Sequence, residues 1–166
     1  LSSVVIATDD ERIFDEARRF GAQARMTRSD HLSGSDRVAE VASARPEASL
    51  IVNIQGDEPL IDPAAIDAAI LPMIDDDDET PMATLSKRIE DPGEITDPNV
   101  VKVVVDQSGM ALYFSRSPIP HVRSDARGST VFFKHIGLYV YRRDFLLGYS
   151  ALPVGPLERA ERLEQL

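Results

Sequence analysis

Three stretches of this 166-residue chain carry side chains able to do chemistry together. In the first, Asn53-Ile-Gln-Gly-Asp-Glu-Pro59 follows the apolar run Leu50-Ile-Val52. In open α/β sheets, ligands bind at the carboxyl ends of strands. There Gln55 offers an amide able to read a ribose or base, Gly56 permits close backbone approach, and Asp57 is a hard oxygen ligand suited to Mg²⁺ on phosphates. The same residues also make an ordinary Gly-Asp turn closed by Pro59. In the second stretch, Thr27 to Arg37 sets Arg28, His31, Ser33, Gly34 and Arg37 just ahead of a helix pattern. A helix N-terminus attracts anions, although Ser33 with Asp36 also reads as a plain capping box.

The third stretch is Lys134-His-Ile-Gly-Leu-Tyr-Val-Tyr141. A strand's period of two puts His135, Gly137, Tyr139 and Tyr141 on one face. Gly137 would leave a notch between imidazole and phenol, suited to a hydroxylated acid or to the surface of a partner chain. Arg116, after Tyr113-Phe-Ser115, has the fork geometry for a carboxylate. Near the end, Glu161, Glu164 and Gln165 would share one side of a helix spanning 157–166. The acidic run Asp75 to Glu79 reads as a solvated linker.

Positioning these groups requires a scaffold, and its elements alternate. Ser3 to Ala7 predicts a strand, Thr8 to Glu11 has capping-box spacing, and Ile13, Phe14, Ala17 and Phe20 predict a helical face ended by Gly21. A second helix is expected from Asp36 to Arg45, a strand over Leu50 to Ile54, and a third helix from Asp62-Pro63 carrying Ile66, Ala69 and Ile70. Apolar strands alternating with helices predict a mostly parallel sheet over residues 1–90. Strand patterns then dominate: Met82 to Arg88, Val100 to Asp106 hairpinned through Gln107-Ser-Gly109 to Met110–Phe114, and Val131 to Tyr141. The reading is an α/β chain with a nucleotide-binding part at 1–90 and a smaller strand-rich part at 91–166.

Composition narrows the function. Eighteen basic against 28 acidic residues give a net charge of −10, so the average surface repels nucleic acid while a local basic site can still hold a small phosphate ligand. No apolar run approaches the roughly 18 residues of a membrane span. With no cysteine, disulfides, thiolate zinc sites and Cys nucleophiles are excluded, which fits a reducing compartment. The chain starts at Leu1 without Met and stops inside a helical pattern, so both ends look cut.

Six blocks in order resemble the 3-deoxy-manno-octulosonate cytidylyltransferases, or CMP-KDO synthetases. They are Met26-Thr-Arg28 with His31-x-Ser-Gly-Ser-Asp-Arg37, Val52-Asn-x-Gln-Gly-Asp-Glu-Pro59, Pro98-Asn-Val-Val-Lys-Val-Val104, Ala111-Leu-Tyr-Phe-Ser-Arg116, His135-Ile-Gly-Leu-Tyr139, and Pro156-Leu-Glu158 with Leu163-Glu-Gln-Leu166. The resemblance implies a Rossmann-like nucleotidyltransferase fold, cytoplasmic, with a strand-rich dimerisation lobe. It implies transfer of CMP from CTP to KDO for lipopolysaccharide synthesis, releasing pyrophosphate. By resemblance, Thr27, Arg28, Ser33, Gly34 and Gln55 contact CTP, and Asp57 holds Mg²⁺ as the catalytic carboxylate. Arg116, His135, Tyr139, Glu164 and Gln165 surround the sugar acid. The pattern departs in Ser35, where the family usually has Thr. The family's first strand with its Arg- and Lys-bearing loop is missing, as are a second metal-binding Asp and the strands after Leu166. The alternative is therefore an inactive scaffold that keeps partial ligand binding and dimerisation.

Overall fold

The computed structural model describes residues 1–56, 60–74, 80–123, 130–149 and 151–166. In chain order the elements are β1 (Val5–Thr8), α1 (Glu11–Arg19), β2 (Gln23–Met26), α2 (Gly34–Ser43), β3 (Leu50–Ile54), α3 (Pro63–Ile74), β4 (Met82–Arg88), α4 (Pro92–Thr96), β5 (Lys102–Val105), β6 (Ala111–Ser115), β7 (Phe133–Arg142), α5 (Arg143–Tyr149) and α6 (Pro156–Glu161). They form two compact units, each from two stretches of chain. One comprises Leu1–Ala83 with Leu138–Leu152, the other Thr84–Gly137 with Pro153–Leu166. The sequence reading puts one break between residues 90 and 91. The observed division instead cuts through β4 and β7.

In the first unit, local capping explains where helices start. Asp10, not Thr8, is the N-cap of α1, accepting from the Arg12 N–H at 2.8 Å, while Thr8 stays in β1 and takes the Asp10 N–H on its hydroxyl at 3.1 Å. Gly21 follows the helix at φ +85°, a conformation other residues adopt only with strain. Of the expected inner face of α1, Ala17 is buried but Ile13 and Phe20 are more than half exposed. Helix α2 begins two residues earlier than expected because Ser33 and Asp36 close a reciprocal capping box, each bond 3.1 Å. Its buried face, Ala39 and Ala42, packs with Tyr139, Tyr141 and Leu146. Ser35 is fully buried, with Oγ 3.2 Å from the Tyr141 hydroxyl, which pins the start of α2 to that core.

The expected mostly parallel sheet is not what forms. The β1–β2 pair is parallel, but β3 pairs antiparallel with the second half of β7, in the register Leu50↔Arg142 to Ile54↔Leu138. The apolar run of β3 alternates with helices and so predicts a parallel strand, yet in the fold Ile51 and Val52 are only half-buried and Ile54 is exposed. Its ladder partner is a strand that arrives some 80 residues later and runs the opposite way. Although β1 and β3 both lie against α2, they are not hydrogen-bonded to each other. A cavity of about 230 Å³, lined by Val4, Val5, Val38, Val41, Ile51 and Val52 among others, lies there instead.

The second unit is built on the β5–β6 hairpin, antiparallel as expected, with Lys102 opposite Ser115 and Val103 opposite Phe114. Asp106 Oδ1 accepts from the N–H groups of Ser108 and Met110, and Gly109 takes φ +88°. These contacts hold the Asp106 carboxyl below its ordinary range, led by the bond from the Ser108 hydroxyl. Strand β5 also pairs antiparallel with the first residues of β7. Lys102 is 0% exposed, and its ammonium donates to three main-chain carbonyls, those of Asp97 (2.8 Å), Val100 (2.6 Å) and Arg116 (2.5 Å). Every proton of the ammonium thus has an acceptor, and desolvation lowers its pKa.

Helix α6 is shorter than expected. It ends at Glu161, Arg162 adopts the left-handed conformation at φ 55°, and Leu163 turns into the core beside Val103 and Phe114. Glu164 and Gln165 therefore lie beyond the helix, and the shared helical side with Glu161 does not exist.

Candidate nucleotide and sugar-acid sites

The first unit brings the expected nucleotide residues together at the amino end of α2. Gly34 is the first residue of the helix, and a Cβ there would meet the Gln55 amide nitrogen at 3.1 Å and its oxygen at 3.3 Å. Glycine is thus what lets Gln55, from the loop after β3, lie across the helix start. Ser33 caps that start, its hydroxyl accepting the Asp36 N–H at 3.1 Å. Asp57 lies outside the described residues. Among the described residues, no group of three or more His, Asp or Glu is placed to hold a metal ion.

The loop before α2 is held by Arg37 and His31, which the sequence reading named, together with Glu40 and Asp9, which it passed over. Arg37, on the first turn of α2, donates to the Thr27 hydroxyl at 2.5 Å and to the Arg28 carbonyl at 3.4 Å, and pairs with Asp9 at 3.2 Å. Glu40, one turn on, accepts the Arg28 N–H at 3.1 Å and meets His31 Nε2 at 2.5 Å on the same carboxylate oxygen. The His31 ring is only 9% exposed. These bonds, His31 first and the Arg28 amide second, hold the Glu40 carboxyl below its ordinary range. Thr27 is buried, so its hydroxyl is part of this brace. Arg28 points its guanidinium into solvent against Asp30, which is lowered by it. An exposed pair of this kind is worth little, so Arg28 can exchange Asp30 for a bound phosphate at small cost.

Asn53 interrupts an apolar strand, is 3% exposed, and receives the Gln55 amide at 3.5 Å on its oxygen. Its own Nδ2 has no hydrogen-bond partner among the described residues. Buried donors are almost always paired, so Asn53 Nδ2 is the exception among the described buried side chains. Asparagine in the middle of Leu50-Ile-Val-Asn-Ile54 is itself the signal that could have found it.

Of the residues assigned to the sugar acid, Arg116, His135, Glu164 and Gln165 belong to the second unit, and Tyr139 to the first. Among the described residues, the Arg116 guanidinium does not fork onto a carboxylate. Its guanidinium donates to the main-chain carbonyls of Glu161 (2.6 Å), Pro98 (2.9 Å) and Arg162 (3.3 Å), and its own N–H goes to the Glu161 carboxylate at 2.9 Å. Glu161 also takes the Ser115 hydroxyl at 2.7 Å, and these donors lower its pKa. Arg116 is thus the staple between the end of β6 and the end of α6. His135 sits beside the Phe114 ring, edge-on at 5.1 Å, with Nε2 2.8 Å from the Thr84 hydroxyl. Burial pushes its pKa from 6.5 down to about 4, so the ring is neutral at pH 7. A Cβ on Gly137 would meet nothing within 4 Å, so the strand does keep its notch. Tyr139 was expected on a polar face, but its ring stacks on Tyr141 at 5.9 Å in the core of the first unit.

A protein-family model described as cytidylyltransferase matches residues 1–166. The 3-deoxy-manno-octulosonate cytidylyltransferase of Solibacter usitatus (strain Ellin6076) is 69% identical over all 166 residues, and that of Syntrophotalea carbinolica is 54% identical over the whole of this chain. The chain spans 65% and 68% of these relatives' lengths. A solved structure of CMP:2-keto-3-deoxy-manno-octonic acid synthetase complexed with CTP superimposes with a TM-score of 0.91 at 45% identity, covering 99% of this chain and 66% of the other. With a family model matched along its whole length and relatives more than half identical to it throughout, the chain belongs to the cytidylyltransferase family.

Proposed function

We propose that this chain carries the CTP site and the sugar-acid residues of an enzyme that transfers CMP from CTP to KDO, giving CMP-KDO and pyrophosphate. The observation that carries the reading is the Gln55 amide lying over Gly34 at the start of α2, beside the braced Thr27–Ser33 loop. A helix N-terminus with an exposed arginine suits phosphates, and a held amide suits a ribose or base. The identities with the two named cytidylyltransferases and the likeness to a synthetase holding CTP support the same substrates.

In this reading Thr27, Arg28, Ser33, Gly34 and Gln55 bind CTP, while Arg116, His135, Tyr139, Glu164 and Gln165 serve the sugar acid. Arg116 and Tyr139 act by shaping the chain around it. The anomeric oxygen of KDO bonds to the α-phosphorus of CTP and loses its proton, and the α-phosphorus parts from the bridging oxygen of pyrophosphate. Arg28 balances phosphate charge, and the neutral His135 orients a sugar group. Asp57, with the phosphates of CTP, would hold Mg²⁺, a cation commonly bound by one or two carboxylates plus substrate oxygens. That ion would neutralise charge at the phosphates.

We further infer that the enzyme works in the cytoplasm, alongside nucleoside triphosphates. It pairs with a second copy through the β5–β6 hairpin, where Val105, Met110 and Leu112 are exposed. Among the described residues, no helix is long and apolar enough to cross a membrane.

The test is calorimetric titration of CTP into the 166-residue chain with and without Mg²⁺, alongside Asp57→Asn. Tighter binding with Mg²⁺ that Asp57→Asn abolishes is expected, and in a chain of the relatives' full length the same change lowers turnover by about 10² to 10³. CTP binding that ignores Mg²⁺, or near-normal turnover in a well-folded Asp57→Asn protein, overturns the assignment.

A further inference from the structure

Helix α2 reaches back with two side chains, one turn apart, onto a single residue of the loop before it. Glu40 Oε2 accepts the Arg28 N–H at 3.1 Å, and the Arg37 guanidinium donates to the Arg28 carbonyl at 3.4 Å. Both main-chain groups of Arg28 are thus taken by α2, while its own guanidinium lies out in solvent against Asp30. The two ends are unequal. The Arg37 contact is long, and the same nitrogen also serves the Thr27 hydroxyl and Asp9. The Glu40 contact is shorter and charge-assisted, which makes it about twice as strong as a neutral bond.

We propose that Glu40 is a positioning residue for CTP, with Arg37 as its weaker counterpart: it fixes the Arg28 peptide before the nucleotide arrives. Only the guanidinium then has to move, from Asp30 to a phosphate. Were the Arg28 backbone loose, ordering that one residue at the moment of binding would lower affinity by about tenfold. An acid close to an anion site needs its charge answered, and here it is. An ionised carboxylate only accepts, and one oxygen of Glu40 takes both the Arg28 N–H and His31 Nε2, the latter at 2.5 Å. These two donors hold the Glu40 carboxyl below its ordinary range. The positioning role rests on the reading of Arg28 as a CTP contact; the clamp on its peptide does not.

The clamp is read without ligand by amide exchange of the 166-residue chain. In Glu40→Ala the Arg28 amide is expected to exchange faster while the amides of α2 stay protected, and an Arg28 amide that exchanges at the parent rate overturns the proposal.

The positioning role is read by calorimetric titration of CTP into the parent chain, Arg28→Ala, Glu40→Ala and the double variant, which close a cycle. Arg28→Ala is expected to weaken CTP by about tenfold or more, the value of a charge-assisted phosphate contact. Glu40→Ala is expected to weaken CTP by about five- to tenfold in the parent but by less than about twofold once residue 28 is alanine, because no guanidinium is left to place. Glu40→Gln keeps an oxygen acceptor without the charge and should recover part of what alanine loses; it also replaces alanine in the cycle, with the same sign expected, should that variant fail to fold. Equal losses from the Glu40 change in both backgrounds show a merely structural role and overturn the positioning proposal alone. Unchanged CTP affinity in Arg28→Ala removes the phosphate reading of Arg28, and the positioning proposal falls with it.

Discussion

Acidification from pH 7 to pH 5 should destabilise the second unit through one residue. His135 titrates near 6.5 in an unfolded chain and at about 4 in the fold, because burial disfavours the imidazolium. Between those values the unfolded state binds a proton that the folded state does not, so stability falls as pH falls. The contribution is complete above 6.5 and gone below about 4. At 1.36 kcal/mol per pH unit, the whole span is worth about 3 kcal/mol, and roughly 2 kcal/mol of it falls between pH 7 and pH 5. The carboxylates held low by their partners, Glu40, Asp106 and Glu161 among them, act in the same direction. Theirs is a separate window, because their stabilisation is lost only as pH drops below the ordinary carboxylate value of about 4. Urea unfolding followed by circular dichroism at pH 7, 6 and 5, with amide exchange of β5 and β6 as the local report, measures the slope. His135→Gln keeps a neutral donor of similar reach and should flatten that slope to within about 0.5 kcal/mol. Equal slopes in the two proteins would refute the burial argument.

Three further outcomes follow from named contacts. Lys102→Met leaves three carbonyls without their shared donor in a site with no solvent, and should cost about 3 kcal/mol or more; an unchanged urea midpoint would show the ammonium to be dispensable. Gly34→Ala should leave stability equal or raise it by up to about 1 kcal/mol, since alanine favours the helix, yet weaken CTP binding because the new methyl displaces the Gln55 amide; calorimetry showing unchanged CTP affinity would count against the site. Leu112→Glu should convert a micromolar dimer to monomer without altering the far-ultraviolet spectrum, and sedimentation of the wild type as a clean monomer would sink the pairing proposed for the hairpin.

Much of the local structure is legible in the residues. The strands Leu50–Ile54 and Met82–Arg88 fall where their apolar patterns put them, and the hairpin turns at Gln107-Ser-Gly109 because Asp106 and a left-handed glycine make that turn. What patterning does not carry is partner choice. A short apolar strand such as β3 reads the same whether its neighbour runs parallel or antiparallel, and its neighbour here is β7. Strand β2 escapes notice because Gln-Ala-Arg-Met is only four residues long and has no β-branched or aromatic residue, and its register is set by β1. At the carboxyl end, helical periodicity runs on through Leu166, but the core needs Leu163 beside Val103 and Phe114, and the chain leaves the helix at Arg162 to put it there.

The site divides along the same line. Residues that announce chemistry by type and by place at an element's end, such as Ser33, Gly34 and Gln55, do come together. Those that hold them in place are not legible that way. Glu40 sits in the middle of a helix, where an acid is ordinarily a solvated surface residue, and only the fold turns it back onto Arg28 and His31. Thr84 looks like any strand threonine until β7 lies beside β4 and brings His135 to its hydroxyl. Arg116 shows the converse: its residue type suggests a ligand, but its guanidinium is committed to three main-chain carbonyls, which any basic residue of the same length but different donor geometry would satisfy less well. The groups proposed to bind are thus marked by their chemistry, whereas the groups that brace them are marked only by long-range pairing. Substitution of Glu40 should accordingly weaken CTP binding by freeing the Arg28 amide and His31, while leaving the recognisable motifs of the family intact, and calorimetry with Glu40→Gln measures it.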